Sequence, residues 1–241
     1  MGDSNAPSAD FEARLEREKL AALMELAYGA GHEINNPLAN IAARAQTLLV
    51  DETDPERRRK LSAIHRQAMR AHEMIADLML FARPPQLEIA EVDLRRIVRQ
   101  VVDEQAELAL ERSIQLSCEV GHAPISVQVD ATQLAVAVAA VLINAIEAVG
   151  ERGKVSVIAR EWSEGAVHSA EVIVRDDGPG ISETVRRHLF DPFFSGREAG
   201  RGLGFGLSKC WRIITDHGGQ VVVNNVDGGG GAEFTILLPQ R

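Results

Sequence analysis

The stretch GAGHEINNPLANIAARAQTLL, residues 29–49, reads as a helix with a disturbance written into it. At about 100° per residue, with Ile34 set to zero, Leu38, Ile41, Ala45 and Leu48 fall within about 40° of it and make an apolar stripe. His32 and Asn36 lie about 160° from Ile34 on either side, so they are neighbours on the opposite face, with Glu33 beside them. Pro37 has no N–H, so the Glu33 carbonyl loses its helical donor and a bend is expected within one turn of the histidine. His32 is therefore expected to face solvent, next to a carboxylate and an amide. An imidazole with one free nitrogen is a nucleophile near neutral pH, and Glu33 has the chemistry to orient it or to act as its base. Zinc is disfavoured, because the second histidine of an HExxH pattern is replaced by Asn36.

The helical composition extends from Asp10 to Val50, after a leader, residues 1–8, that is expected to be disordered. DETDP, residues 51–55, breaks it, and a second helix is expected from Glu56 to Phe81. There Leu61, Ile64, Ala68, Ala71, Ile75 and Leu78 follow a coiled-coil-like spacing. Residues 9–82 thus form a helical hairpin. A lone hairpin leaves one apolar face open, and burial against a second copy predicts a homodimer built as a four-helix bundle. Pro84 and Pro85 stop the second helix and open a linker over 83–91.

From 92 to 241 the pattern changes to strands and helices in mixed order, an α+β chain with an α/β-layer sandwich as its second domain. ATQLAVAVAAVLINAIEAV, residues 131–149, is nearly all apolar and is expected to be a buried helix. Residues 220–226 and 232–239 read as a closing hairpin. The net charge of −9, with no basic block, argues against a nucleic-acid surface. No export signal or uninterrupted apolar run of spanning length is evident, so a cytoplasmic location with no membrane contact from this segment is expected. Cys118 and Cys210 match no metal spacing and are expected to be reduced thiols.

Two glycine-rich stretches stand out. DDGPGI, residues 176–181, ends a strand, and GRGLGFGLS, residues 200–208, opens a helix whose free N–H groups would suit phosphate. Neither is a dinucleotide fingerprint or a Walker loop. Asp176 reads either as a turn cap or as a buried carboxylate that accepts from an exocyclic amine. Asn144 is an amide among apolar neighbours, costly without a partner, and is expected to bind something, such as a metal ion bridging phosphates.

HEINNPL, LINAIEAV, DDGPGI, FDPFF and GLGFGLS occur in the order and approximate spacing of the H, N, G1, F and G2 boxes of sensor histidine kinases. From about residue 10 the chain resembles that family's core, and HEINNPL with NAIEAV is most similar to its nitrogen-regulation and oxygen-sensing branch. The resemblance implies a dimerisation and phosphotransfer hairpin followed by a Bergerat-type ATP-binding domain. It implies His32 as phosphoacceptor, Glu33 as its base and Asn36 as the amide that positions water for dephosphorylating a response regulator's receiver domain. It further implies Asn144 as the Mg²⁺ ligand, Asp176 against the adenine amino group, and Gly178 and Gly180 in the adenine-side turn. Gly202, Gly204 and Gly206 would meet the phosphates of ATP, Phe190 and Phe194 would pack the F box, and Leu207 is carried with the nucleotide-binding set. The lid would be roughly residues 195–201.

The chain departs from the family at Ala140, where a first Asn is usual, at Glu147, where many members have Lys, and at Leu203, where Thr or Ser is common. A sensor module is expected upstream or on another protein. Two other readings stay open at this stage: an ATPase of the same fold, disfavoured because Ala140 supplies no carboxylate to activate water, and a dimeric scaffold that binds nucleotide without turnover.

Overall fold

A computed structural model describes residues 9–83, 85–164, 167–192, 194, 204–226 and 230–240. The chain divides into two compact units, Met1–Pro85 and Gln86–Arg241.

The first unit is a hairpin of α1 (Ala9–Val50) and α2 (Pro55–Ala82). α2 starts where it does because the Asp54 side chain accepts from Glu56 N at 2.8 Å and Arg57 N at 3.1 Å, with Pro55 at the first helical position. Arg58 crosses the turn to donate to the Leu49 and Glu52 carbonyls, supplying donors at the end of α1. The α1 assignment runs through Pro37 without a break.

Of the apolar stripe drawn around Ile34, Ala45 is buried and Leu38 half-buried, but its large residues Ile34, Ile41 and Leu48 do not face α2. Gly31, Ala42 and Ala45 are buried, while Ile34, Ile41 and Leu48 stay 44%, 46% and 60% exposed. Small side chains let the two helix backbones approach. A Cβ on Gly31 would lie 2.5 Å from Met79 Cγ, and His65 Nδ1 reaches the Ala42 carbonyl at 3.1 Å across the same seam. The large residues are displaced to the side, where they form a second apolar row with Leu26.

In the second unit a five-stranded sheet runs in the order β2-β4-β5-β7-β6, from β2 (Gln115–Val120), β4 (Lys154–Glu164), β5 (Val167–Asp176), β6 (Gln220–Asn225) and β7 (Ala232–Pro239). Only β2 and β4 pair in parallel. α3 (Leu94–Glu111), α4 (Ala131–Val149) and α6 (Gly206–Asp216) pack on the sheet, and a short α5 (Glu183–His188) follows β5. Alternation decides which face they cover: Ala170, Val172 and Val174 of β5 and Ala232, Phe234, Ile236 and Leu238 of β7 are buried against the helices. Between them, Glu171 pairs with Arg160 and Glu233 with Arg175.

α4 is apolar enough in length and composition to cross a membrane. Here it is the central core helix: Leu134, Val138, Val141, Leu142, Ala145 and Ile146 are fully buried. Cys210 of α6 is also fully buried, which pushes its thiol up to about 12 and makes it an inert core residue.

The linker read over 83–91 is shorter at its far end. Ala90 already belongs to β1 (Ala90–Asp93), which pairs antiparallel with β3 (Ser126–Val129), so this stretch belongs to the second unit. Asp93 then caps α3 and accepts from Arg95 and from Ile125 N, and the Arg95 guanidinium holds its carboxyl down at about 2. The stability this gives is present above the ordinary carboxylate range and is lost as pH falls through about 2. Asp93→Ala is expected to cost about 1–2 kcal/mol at neutral pH, the range for a lost helix cap, read as a lower thermal midpoint by calorimetry.

Candidate functional site

In the second unit the sequence motifs converge at one end of α4. Gly178 sits against the last turn of that helix, where a Cβ would come within 3.1 Å of the Ala148 carbonyl. One turn further back α4 carries Asn144, half-buried, with Glu147 between them. Asp176, the last residue of β5, is 5% exposed. Its Oδ1 accepts from Gly178 N at 2.9 Å and from Ala232 N at 3.3 Å, while Oδ2 is buried with no hydrogen-bond partner. Burial pushes the Asp176 carboxyl above the usual carboxylate range, with neighbouring Asp177 adding to the effect against those two backbone donors. A buried oxygen left unpaired is costly, and a ligand N–H would satisfy it. The turn-cap reading accounts for Oδ1 alone.

The turn 177–181 is held from three sides. Asp177 Oδ1 accepts from Lys154 N at 2.8 Å, Gly231 lies so close that a Cβ there would meet the Asp176 carbonyl at 2.1 Å, and Asn225 clamps Ile181. The Asn225 amide accepts from Ile181 N at 2.8 Å and donates to Ile181 O at 2.9 Å, a side chain acting as a strand partner. Asn225 and Asp177 were not among the residues singled out by sequence. Their signal was weak, an Asn pair at the end of β6 and a second Asp after Asp176, because their partners lie far away in the chain.

The second glycine stretch enters α6. Gly202 and the expected lid, 195–201, lie outside the described residues. Gly204 has φ +73°, and a Cβ there would meet the backbone of Phe194 at 2.2 Å. Gly206 has open space on its side-chain side. α6 begins at Gly206, and its N-cap residue, Phe205, makes no side-chain capping bond. Leu207 packs on the core, and Phe190 lies half-buried in the turn after α5. In the F box, His188 Nδ1 meets Asp191 Oδ2 at 2.7 Å and its ring lies 5.5 Å from that of Phe194.

The two kinds of glycine separate by substitution. Gly204→Ala is expected to lower the thermal midpoint and cut nucleotide affinity at least tenfold, since positive φ and a rigid backbone neighbour both oppose the new Cβ. Gly206→Ala has nothing to strike and should leave the midpoint unchanged, so any affinity it loses reports contact with ligand. Scanning calorimetry with a nucleotide titration on both variants reads the difference.

The first unit carries the other motif. His32, Glu33 and Asn36 are all exposed on α1, and the Asn36 carbonyl accepts from Asn40 Nδ2 at 3.1 Å. Glu33, one residue on, is about 100° round the helix from His32. The ring of Tyr28, one turn before, meets the His32 imidazole edge-on at a centroid distance of 4.9 Å.

Two family models match parts of the chain. Residues 22–87 match the His kinase A (phospho-acceptor) domain, and residues 129–241 match the histidine kinase-, DNA gyrase B- and HSP90-like ATPase domain. The chain is a histidine kinase core. The sensor histidine kinase ZraS of Klebsiella oxytoca is 32% identical over 230 residues, which are 95% of this chain and 48% of that protein. Full-length ShkA in complex with AMPPNP superposes with a TM-score of 0.76 at 25% identity, covering 89% of this chain and 45% of that one. ThkA in complex with the response regulator protein TrrA gives 0.66 at 26% identity, covering 99% of this chain and 68% of that one. The kinase core spans less than half the length of the curated relatives it matches.

The donor set sets terms for Mg²⁺. Among the described residues no group of three or more His, Cys, Asp or Glu converges on a point. Asn144 lies one turn before Ala148 on the same side of α4, and its amide oxygen is of the ligand type that Mg²⁺ takes.

Proposed function

We propose that this kinase core takes the γ-phosphoryl group of ATP onto His32 and passes it to an aspartate in the receiver domain of a response regulator. The observation that carries the reading is the buried, unpaired Asp176 Oδ2 at a glycine-walled turn, on the same chain as an exposed histidine in a phospho-acceptor domain. Asp176 accepts from the adenine amino group, Gly178 and Gly180 form the turn on the adenine side, and Gly204, Gly206 and the start of α6 hold the phosphates. Gly202, Phe190 and Leu207 belong to the same nucleotide set. Mg²⁺, held by Asn144 and the phosphates, would neutralise negative charge during transfer.

A ring nitrogen of His32 attacks the γ-phosphorus, the bond to the β,γ-bridging oxygen breaks, and ADP leaves. Glu33 takes the proton that the imidazole then releases. The P–N bond is labile enough to pass the group on to a carboxylate. Asn36, one turn along the same stripe, would hold water for the reverse chemistry on the receiver, so transfer and dephosphorylation compete for one patch.

The exposed row of Leu26, Ile34, Ile41 and Leu48 supports a second copy as its cover, giving a homodimeric four-helix bundle. The TrrA complex of ThkA supports the receiver partner. A cytoplasmic location is part of the proposal, since ATP and the receiver are met there. HEINNPL and NAIEAV support the nitrogen-regulation and oxygen-sensing branch.

Incubation with γ-labelled ATP and Mg²⁺ tests the reading. Acid-labile, base-stable label on the protein is the expected result. Phosphate release without protein label would replace it with an ATPase, and nucleotide binding with neither would replace it with a scaffold, the outcome that Ala140 would then explain.

A further inference from the structure

The chain has a single tyrosine, and it stands beside the histidine. Tyr28 and His32 are one helical turn apart on α1, so their side chains are neighbours by helix geometry alone. Their rings meet at 85°, the edge-to-face arrangement that aromatic pairs prefer. On its other side Tyr28 carries a cation: the Arg83 guanidinium carbon lies 5.3 Å from the ring centroid. Arg83 is the residue that closes α2, its backbone N–H donating to the Met79 carbonyl at 2.9 Å, and Pro85 follows two residues later. Tyr28 thus meets both His32, on its own helix, and Arg83, at the end of the other.

We propose that Tyr28 is a positioning residue for phosphoryl transfer, its ring holding the His32 imidazole in one orientation while Arg83 holds the ring. This rests on the reading of His32 as phosphoacceptor. An exposed histidine otherwise samples its side-chain rotamers freely, and its χ2 torsion is broad. In-line attack needs the lone pair of one ring nitrogen aimed at phosphorus, and freezing that orientation before the phosphate arrives removes part of the entropic barrier. The contact is made through the ring, not the phenol oxygen, so phenylalanine should serve as well as tyrosine. Arg83 couples the same orientation to the end of α2, the point where the chain leaves the hairpin.

The test is the initial rate of γ-label incorporation at saturating ATP, with the KM for ATP, in the full chain and its variants. Tyr28→Leu is expected to label roughly tenfold more slowly with KM unchanged, Tyr28→Phe to stay within about twofold of wild type, and Arg83→Gln to fall between. The single tyrosine also gives an unambiguous NMR signature: a nuclear Overhauser contact between the Tyr28 ring and the His32 ring protons, retained in Arg83→Gln at lower intensity and absent from Tyr28→Leu. Labelling of Tyr28→Leu at the wild-type rate, a Tyr28→Phe variant as slow as Tyr28→Leu, or a slow rate that comes entirely from a raised KM would each overturn the proposal. No label on the wild type would instead overturn the phosphoacceptor reading on which it rests.

Discussion

His32→Gln should take no label from γ-labelled ATP, down to background, while binding ATP as tightly as the wild type. Glutamine roughly preserves size and polarity at an exposed helical position, so the hairpin should keep its stability. It removes the only atom that attacks phosphorus in the proposed reaction. His65 and His72, on α2, are half-buried and lie off the exposed stripe of α1, and His65 is already bound to the Ala42 carbonyl. Neither is expected to substitute. Nucleotide affinity belongs to the other unit and should be untouched. Filter-retained label, quenched in base to preserve P–N bonds, reads the first half, and calorimetric titration with ADP the second. Residual label on His32→Gln would move the acceptor to another side chain.

Asp176→Asn should separate binding from stability. The substitution keeps the volume and lets Oδ1 go on accepting from Gly178 N and Ala232 N. It puts an NH₂ where the unpaired Oδ2 was, so an adenine amino group would meet a donor instead of an acceptor. Hydrogen bonds to charged groups contribute about 1.5–3 kcal/mol, and ATP affinity is expected to fall roughly 10- to 100-fold.

Stability should move the other way. Burial raises the carboxyl's folded-state value above the ordinary 3.8, so the folded chain holds that proton more tightly than the unfolded chain does. The wild type has its full stability below 3.8 and loses part of it as pH rises through the raised value, because ionising a buried carboxyl is unfavourable. Asparagine never ionises, so the variant should melt no lower than wild type at neutral pH, and their curves should converge near pH 3. Thermal midpoints across that range, beside ATP titrations, give both halves. Unchanged ATP affinity in Asp176→Asn would remove adenine from this carboxylate.

Much of the site was legible because it was written locally. The opposition of His32 and Asn36 to the apolar stripe is a matter of helix angle, and the exposure of both agrees with it. Gly204 lies where a positive φ meets a neighbouring backbone, which a glycine run next to a helix start suggests without structure. Other features depend on pairs that sequence distance conceals. Ala90 and Glu91 looked like linker, since a four-residue strand has too short a pattern to recognise and its partner is β3, more than thirty residues on. Ile34, Ile41 and Leu48 looked like the core of the hairpin because a helical wheel ranks by hydrophobicity. Close helix packing selects by size instead, and of that stripe it kept Ala45 and added Gly31 and Ala42.

By itself the sequence determined most of the helices and strands, the exposed turn around His32 and the two glycine stretches, all of them consequences of neighbours a few residues apart. Only the tertiary structure decided that Asp176 keeps one oxygen satisfied and one unpaired, that Asn225 clamps Ile181, and that Arg83 closes over the tyrosine beside the histidine. Burial and hydrogen-bond satisfaction are properties of what surrounds an atom in space, and for these atoms the surroundings come from residues 148, 178, 225, 232 and 83.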